Sequence, residues 1–454
     1  NEDINRTEAE FLNALDKQFA DLTHKLSISE LQHTSSGLSR FVHIKQGYIG
    51  VYERIQHYYE VVNKWVSTSV FELKKKQHQL RMAEFNDRNK TLVNKRKMLK
   101  TFVEENNIRS EVKESLPTYY RHLFAGKQMF NKQLSVKRDF ELEQAVSALG
   151  PNEVGALLII SEPLGGKSHF AESVIQEINA HQIFRVLPPG MGVKKETSLL
   201  EAFQRVTNLE GDFTKILNTL PEGSVFVFNK LELWWLRKSG GGKHIDQLVK
   251  VIDQFGERHK FILTMNNFAY DLVRQVTRLD NILSATIILP PVNQSELAVL
   301  MLERHQLSGV GIRFSKRPER VPSERELVKH FAKFGNQANG NVGVAMIRWL
   351  ASIEKFEEET VFVKSDFQYK IPIVIPGSWS VLLTHLVLHD RLHLQNIFEI
   401  FHLQDKTTVN GVIKELKYTK MIKEVGLNTF TIEPSVSKSI IEELKKQNYL
   451  KNLE

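Results

Sequence analysis

The stretch that most constrains this chain is Leu157 to Ser173, LLIISEPLGGKSHFAES: an apolar run, a turn of small residues ending in Gly-Lys-Ser, then a helical pattern. Leu157 to Ile160 have the length and composition of a buried strand, and Phe170 to Ile178 carry apolar residues at helical spacing. A turn between two such elements is where a phosphate-binding loop can form. Its backbone N–H groups must face phosphate oxygens, which needs small residues, and the helix N-terminus must point at the anion. A Lys must also reach the terminal phosphates, and a hydroxyl must meet Mg2+. Lys167 and Ser168 supply these two, with Gly165, Gly166 and His169 beside them. The spacing G-x-x-x-x-G-K-[ST] lacks its first Gly, because Ser161 stands there. An ordinary strand-to-helix turn is the alternative this stretch leaves open.

Composition sets the outer bounds. The 454 residues leave room for about three domains, and 41% hydrophobic with 25% charged residues is the balance of a globular chain. The absence of Cys excludes disulfides, thiolate metal sites and a Cys nucleophile, which fits a cytoplasmic protein. No run of about 18 apolar residues is present, and no apolar signal core opens the chain. It begins at Asn1 without an initiator Met, which leaves open a longer polypeptide with a membrane anchor upstream. The net charge of +8 is concentrated: between Phe71 and Lys100 ten basic residues face three acidic ones, a net of +7. Capture of an acidic partner would centre there; a solvated helical face is the plainer reading.

From residue 1 to about 141 apolar residues recur at three and four, as in Phe11, Leu12, Leu15, Phe19 and Leu22. This predicts an all-α, elongated region, a stalk, bundle or short coiled coil, with the basic segment in its longest helix. Over 142–292 short apolar runs alternate with helical stretches, which predicts a parallel sheet with crossover helices. The runs are Leu157 to Ile160, Ile183 to Leu187, Ser224 to Phe228, Lys260 to Thr264 and Ala285 to Leu289. Residues 293–370 read as helical again, to about Lys355, with Gly-rich breaks. Residues 371–454 predict three helices, a short hairpin and a closing helix, which is the winged-helix order.

In this order the elements resemble the AAA+ ATPases, in particular the origin-recognition-like branch with a helical lid and a C-terminal winged helix, over about two thirds of the chain. The resemblance implies an α/β P-loop NTPase core, a parallel sheet with flanking helices, that binds ATP or ADP with Mg2+ on Ser168. In the family a strand ends in Asp-Glu, the Asp supporting the metal and the Glu activating water. Here Val225 to Phe228 ends in Asn229-Lys230. An amide brings no negative charge to the metal, and a protonated Lys cannot act as a base. Glu232 is the nearby carboxylate open to substituting for them. The family's sensor, a polar residue ending the next strand, falls on Asn266, for which a plain turn residue is the alternative. Arg278, or else Arg274, falls where an arginine finger would sit. Arg348, in the helix opened by Gly340-Asn341-Val342-Gly343, falls where a second sensor would; surface or ion-pair roles stay open for these arginines.

Trp234 and Trp235 with the basic Gly-rich loop after them read either as core plus connector or as a contact with DNA or a neighbouring subunit. The 16 His residues are scattered and His305 has no partner at metal-ligand spacing, so no metal site is expected beyond nucleotide-bound Mg2+. Three functions follow. The first is an oligomeric nucleotide-binding switch or scaffold with weak or absent hydrolysis, a homo- or hetero-oligomer working with other protein subunits in an assembly of DNA-associated or defence type. The second is a winged-helix DNA-binding ATPase of the initiator or transposition type, reading DNA with Lys406, Thr407, Thr408, Asn410 and Lys414. Against it, residues 371–454 hold ten basic and nine acidic residues, little charge for a phosphate backbone. The third is a membrane-tethered structural scaffold whose anchor lies upstream of residue 1.

Overall fold

The computed structural model describes residues 92–124, 134–150, 153–178, 180, 182–189, 198–364 and 369–451. The chain divides into two compact units, Asn1–Phe85 and Asn86–Glu454. The long-helix expectation for 1–91, its coiled coil and most of the basic segment lie outside the described residues. The second unit opens with four short helices, α1 (Leu92–Glu105), α2 (Ser110–Ser115), α3 (Thr118–Phe124) and α4 (Asp139–Ser147). Arg109 and Leu116 take extended backbone, and Leu116 precedes Pro117, whose ring disfavours helix in the residue before it. This part of the chain therefore breaks into short pieces that pack on the body.

Next come β1 (Ala156–Ser161), α5 (Lys167–Glu177), β2 (Ile183–Val186), α6 (Leu199–Thr207), α7 (Phe213–Thr219), β3 (Val225–Phe228), α8 (Lys243–Phe255), β4 (Lys260–Asn266), α9 (Asn267–Val276) and β5 (Leu283–Ile288). The strands form one parallel sheet in the order β2-β3-β4-β1-β5. A parallel sheet must be covered on both faces, and the alternation along each strand divides the side chains between two cores. Leu158, Ile160, Phe226, Phe228 and Phe261 enter one; Leu157, Ile159, Val225, Val227 and Ile262 enter the other, with Phe170 and Val174 of α5. The register sets Ser161 beside Asn266 at the carboxyl edge. That edge is where open α/β sheets bind their ligands.

The lid consists of α10 (Gln294–Leu307), β6 (Gly311–Phe314), α11 (Glu324–Gln337), α12 (Val342–Ser352), β7 (Ile353–Glu357) and β8 (Thr360–Val363). It departs from the helical expectation in carrying a small sheet, with β6 parallel and β7 antiparallel to β8, and Lys355 lies in β7. From Ile353 onward the side chains tend to alternate between inside and outside. The chain then reverses through Glu358 and Glu359, both at positive φ, into the β-branched Thr360 and Val361. The lid core centres on the fully buried Trp349, whose ring meets Phe124, His305, His330, Phe331 and Phe334. Burial pushes the imidazoles of His305 and His330 down to about 4, so both are neutral core side chains.

The last unit is the winged helix: α13 (Gly377–His389), β9 (Arg391–His393), α14 (Leu394–Ile400), α15 (Lys406–Tyr418), β10 (Ile422–Gly426), β11 (Thr429–Ile432) and α16 (Pro434–Lys446). The short β9 completes a three-stranded wing in the order β10-β11-β9. Its core runs without a break into one face of the main sheet. Trp234 and Trp235 are buried at that join, the first against Phe228 and the second against His389, with ring centroids 4.8 Å apart in the latter pair. α1 lies beside α15, tied by Arg96 to Glu415 and by Glu104 to Lys420, each at 2.8 Å.

Candidate functional site

The site grows out of the turn after β1. Gly166 has φ +93, a left-handed conformation that strains any residue with a Cβ, and it caps α5 so that Lys167, Ser168 and His169 form the first turn. The unpaired N–H groups of that turn and the helix dipole favour an anion in front of it. Lys167 is buried, and its Nζ folds back to donate to the carbonyls of Ser161 at 3.1 Å and Glu162 at 3.0 Å, with Ser161 Oγ at 3.4 Å. Ser161 thus helps hold the lysine. Burial pushes the Lys167 ammonium down to about 8, against the pull of the Glu232 carboxylate. Burial in turn pushes the Glu232 carboxyl up, with Lys167 opposing.

These elements enclose a cavity of about 420 Å³, within the range of roughly 300–1,000 Å³ common for small-molecule sites. Its wall carries Gly165, Gly166, Lys167, Ser168 and His169 together with Lys230, Glu232 and Asn266, and also the apolar Phe124, Val136, Leu300 and Met346 with the guanidiniums of Arg138 and Arg304. An anion-binding loop in the same cavity as apolar side chains suits a phosphorylated ligand with a flat ring. His169 is fixed by Ser135 Oγ at 3.0 Å. Phosphate contact requires Lys167 in its charged form. With the free ammonium titrating near 8, anion binding above that pH must take up a proton, and affinity is expected to fall by up to about tenfold per pH unit. Titrating ADP or pyrophosphate between about pH 7 and 9 checks this; a flat profile would detach Lys167 from the ligand.

Asn266 is buried at the end of β4, where its Oδ1 accepts from Ala269 N–H at 2.8 Å and caps α9. Its Nδ2 donates to the carbonyls of Val387 and Leu388 at 3.3 and 3.2 Å. Its side chain is thus committed to a cap and to the winged helix. Glu232, in a short 3-10 turn (Leu231–Trp234), accepts from Asn266 N–H at 3.3 Å. Asn229 is half-buried with its Oδ1 sealed off and unpartnered among the described residues, and it does not reach the cavity wall. Lys230, at φ +61, is held by Thr264 through its N–H at 2.9 Å, and its Nζ pairs with Asp390 at 2.8 Å.

Arg278 and Arg274 are exposed and lie off the cavity, Arg274 against Asp271 at 3.6 Å. Arg348, expected where a second sensor would sit, does not line the cavity. It is buried on the far side of α12, bonded to the Gln337 carbonyl and Ser439 Oγ and stacked 4.5 Å from the Tyr369 ring centroid. The cavity face of α12 is Val342, Gly343, Met346 and Ile347, and the next position turns about 100° away. Lys406, Thr407, Thr408 and Lys414 are exposed and Asn410 half-buried along α15, while the Asp405 carboxylate accepts from the N–H groups of Thr407 and Thr408. Among the described residues no cluster of three His, Asp or Glu side chains is placed to hold a metal, and no helix is long and apolar enough to cross a membrane. The Ser168 hydroxyl is exposed in the first turn of α5, and Asn229, an amide, brings no negative charge beside it.

Sequence reasoning passed over Glu162. Inside the phosphate loop its carboxylate pairs with Lys438 at 2.6 Å and Lys445 at 3.0 Å, both on α16. Burial pushes this carboxyl up, and the two ammonium groups more than offset that and hold it below the usual range. The partners lie 276 and 283 residues away, beyond any local pattern. The lid grips the same loop: Asn341 Nδ2 donates to Pro163 O at 2.8 Å and Gly343 N–H to Leu164 O at 3.1 Å. A Cβ at Gly343 would come within 2.8 Å of that oxygen, so the close approach needs glycine.

No family model matches this chain, and no curated protein does. Among solved structures it is similar to the Aeropyrum pernix ORC2 protein in ADPNP-ADP complexes (10% identity over 72% of this chain and 98% of that one, TM-score 0.36). It is also similar to the A. pernix ORC1 protein in complex with DNA (14% identity, 74% and 99% covered, TM-score 0.36) and to a mutant of Thermotoga maritima RuvB (13% identity, 66% and 92% covered, TM-score 0.33). By its own strand order, phosphate loop, lid and wing, the chain folds as the α/β P-loop arrangement implied by the resemblance to origin-recognition-like AAA+ ATPases.

Proposed function

We propose that this chain is a nucleotide-binding switch or scaffold that takes ATP or ADP with Mg2+ at Gly165, Gly166, Lys167, Ser168 and His169, with weak or absent hydrolysis, inside an oligomer with other protein subunits. The observation that carries it is a contrast. The anion end is complete, while the acidic pair that would hold the metal and activate water is Asn229-Lys230, with Lys230 bound to Asp390. Glu232 is the remaining carboxylate on the cavity wall; it is buried, bonded to Asn266 N–H and coupled to Lys167, which leaves it poorly placed to serve an attacking water. Arg278, exposed, has the freedom to reach a neighbouring subunit's site. Purified protein is expected to bind nucleotide yet release phosphate scarcely faster than nucleotide in buffer. Brisk hydrolysis abolished by Lys167→Ala would overturn the weak-hydrolysis part; absence of any nucleotide binding would overturn the switch.

Duplex DNA binding by the winged helix ranks second. Its support is the exposed start of α15, with Lys406 and Lys414 free of carboxylates among the contacts described. Against it stand the Asp405 cap, which puts a negative charge where a phosphate would dock, and α1 alongside the helix. Binding is expected to be weak and strongly salt-dependent and to vanish in a Lys406→Glu/Lys414→Glu variant; affinity unchanged by salt or by that variant would remove this reading.

A further inference from the structure

Three positions around the phosphate loop give their polar side chains to the winged helix. Glu162 of the loop pairs with Lys438 and Lys445, Lys230 after β3 pairs with Asp390, and Asn266 at the end of β4 donates to the last carbonyls of α13. The strands that end here, β3, β4 and β1, are adjacent in the sheet. A chain of phosphates leaving the N-terminus of α5 must therefore run onto the ground between them. That ground is walled by Lys230, Glu232 and Asn266 from the core and by Val387, Asp390 and Thr431 from the winged helix.

We propose that the winged helix is a latch across the phosphate end of the cavity, and that the latched cavity takes a nucleoside diphosphate, a triphosphate entering only as the latch opens. This rests on the nucleotide-binding reading above and specifies its ligand. Two phosphates are served by the N–H groups of α5 and by Lys167. A third would meet the C-terminal end of α13, whose carbonyls carry partial negative charge, and the Asp390 carboxylate just beyond it. Of the cavity's Lys and Arg side chains, Lys167 and Lys230 on this ground are matched by Glu232 and Asp390, while Arg138 and Arg304 are bonded to the carbonyls of Pro290, Leu123 and Leu134. No carboxylate stands at Asn229 to anchor a metal that would neutralise a third phosphate. Breaking the Lys230–Asp390 and Glu162–Lys438/Lys445 pairs removes the ionic ties by which the winged helix holds this ground.

The test is the affinity of the full chain for ADP and for adenosine 5′-(β,γ-imido)triphosphate, both with Mg2+, in the native protein and in a Lys438→Met/Lys445→Met variant that leaves the loop untouched. The native chain is expected to prefer ADP by about tenfold or more, a coupling of ordinary size. In the variant the preference should shrink to within about threefold, and ADP release should quicken about tenfold. Hydrogen exchange on the native chain is a second reading that needs no variant: α16 should be protected with ADP and lose protection with the triphosphate analogue. Equal affinities in the native chain, a preference unchanged in the folded variant, or equal protection of α16 with both ligands would overturn the latch and leave nucleotide binding standing. Binding of neither ligand by native chain or variant would overturn the nucleotide reading and the latch with it.

Discussion

Replacing Lys167 with alanine is expected to weaken nucleotide binding by at least about 100-fold, roughly 3 kcal/mol. A charge-assisted contact between a buried ammonium and a phosphate is lost, and the phosphate is left without its cation in a site shielded from water. The free protein should change much less. The Lys167 charge is already disfavoured by burial, as its depressed pKa records, and its donors go to backbone carbonyls whose positions are also fixed by β1 and the lid. Isothermal titration with ADP, alongside circular dichroism to establish folding, separates the two effects. Retained affinity in a folded Lys167→Ala protein would mean that the phosphates lie elsewhere.

Trp349→Ala is expected to produce the largest loss of stability, about 3–5 kcal/mol, from the transfer and cavity terms of deleting a fully buried indole. The same change strips Tyr120 Oη of the indole N–H that donates to it at 3.1 Å. Trp349→Phe keeps most ring contacts and loses that bond, so it should cost only about 1–2 kcal/mol. Denaturant midpoints measure both. The consequence reaches the site because Trp349 anchors α12, and the start of α12 holds the phosphate loop through Asn341 and Gly343. Nucleotide affinity should therefore drop in Trp349→Ala although no atom of Trp349 lines the cavity; unaltered affinity in a destabilised variant would uncouple lid and loop.

Local pattern carried much of the fold. All five runs proposed as strands of the core are strands, and the winged-helix elements fall where their periodicity placed them, because each element declares its own buried face within a few residues. The lid sheet escaped notice since β6, β7 and β8 are four or five residues long, so their alternation is too brief to stand out. Arg348 lies on the helix that its sequence pattern placed, while its direction around that helix depends on which side faces the loop. Asn266 was right as a polar residue at the end of β4, but its amide has partners from a unit more than a hundred residues away.

What the sequence by itself determined is the anion end: a strand, a left-handed Gly166 and a helix opening with Lys167 and Ser168 are fixed by contacts within about a dozen residues, and the amide and the ammonium after β3, Asn229 and Lys230, are read directly from it. What only the tertiary structure decided is what surrounds that end. Glu162, Lys230 and Asn266 each spend their polar groups on the winged helix, and Glu162 does so across 276 residues of chain. The reason is physical: backbone conformation follows from near neighbours, whereas the partner of a buried charge is chosen by whichever distant surface packing brings close enough to replace its lost water.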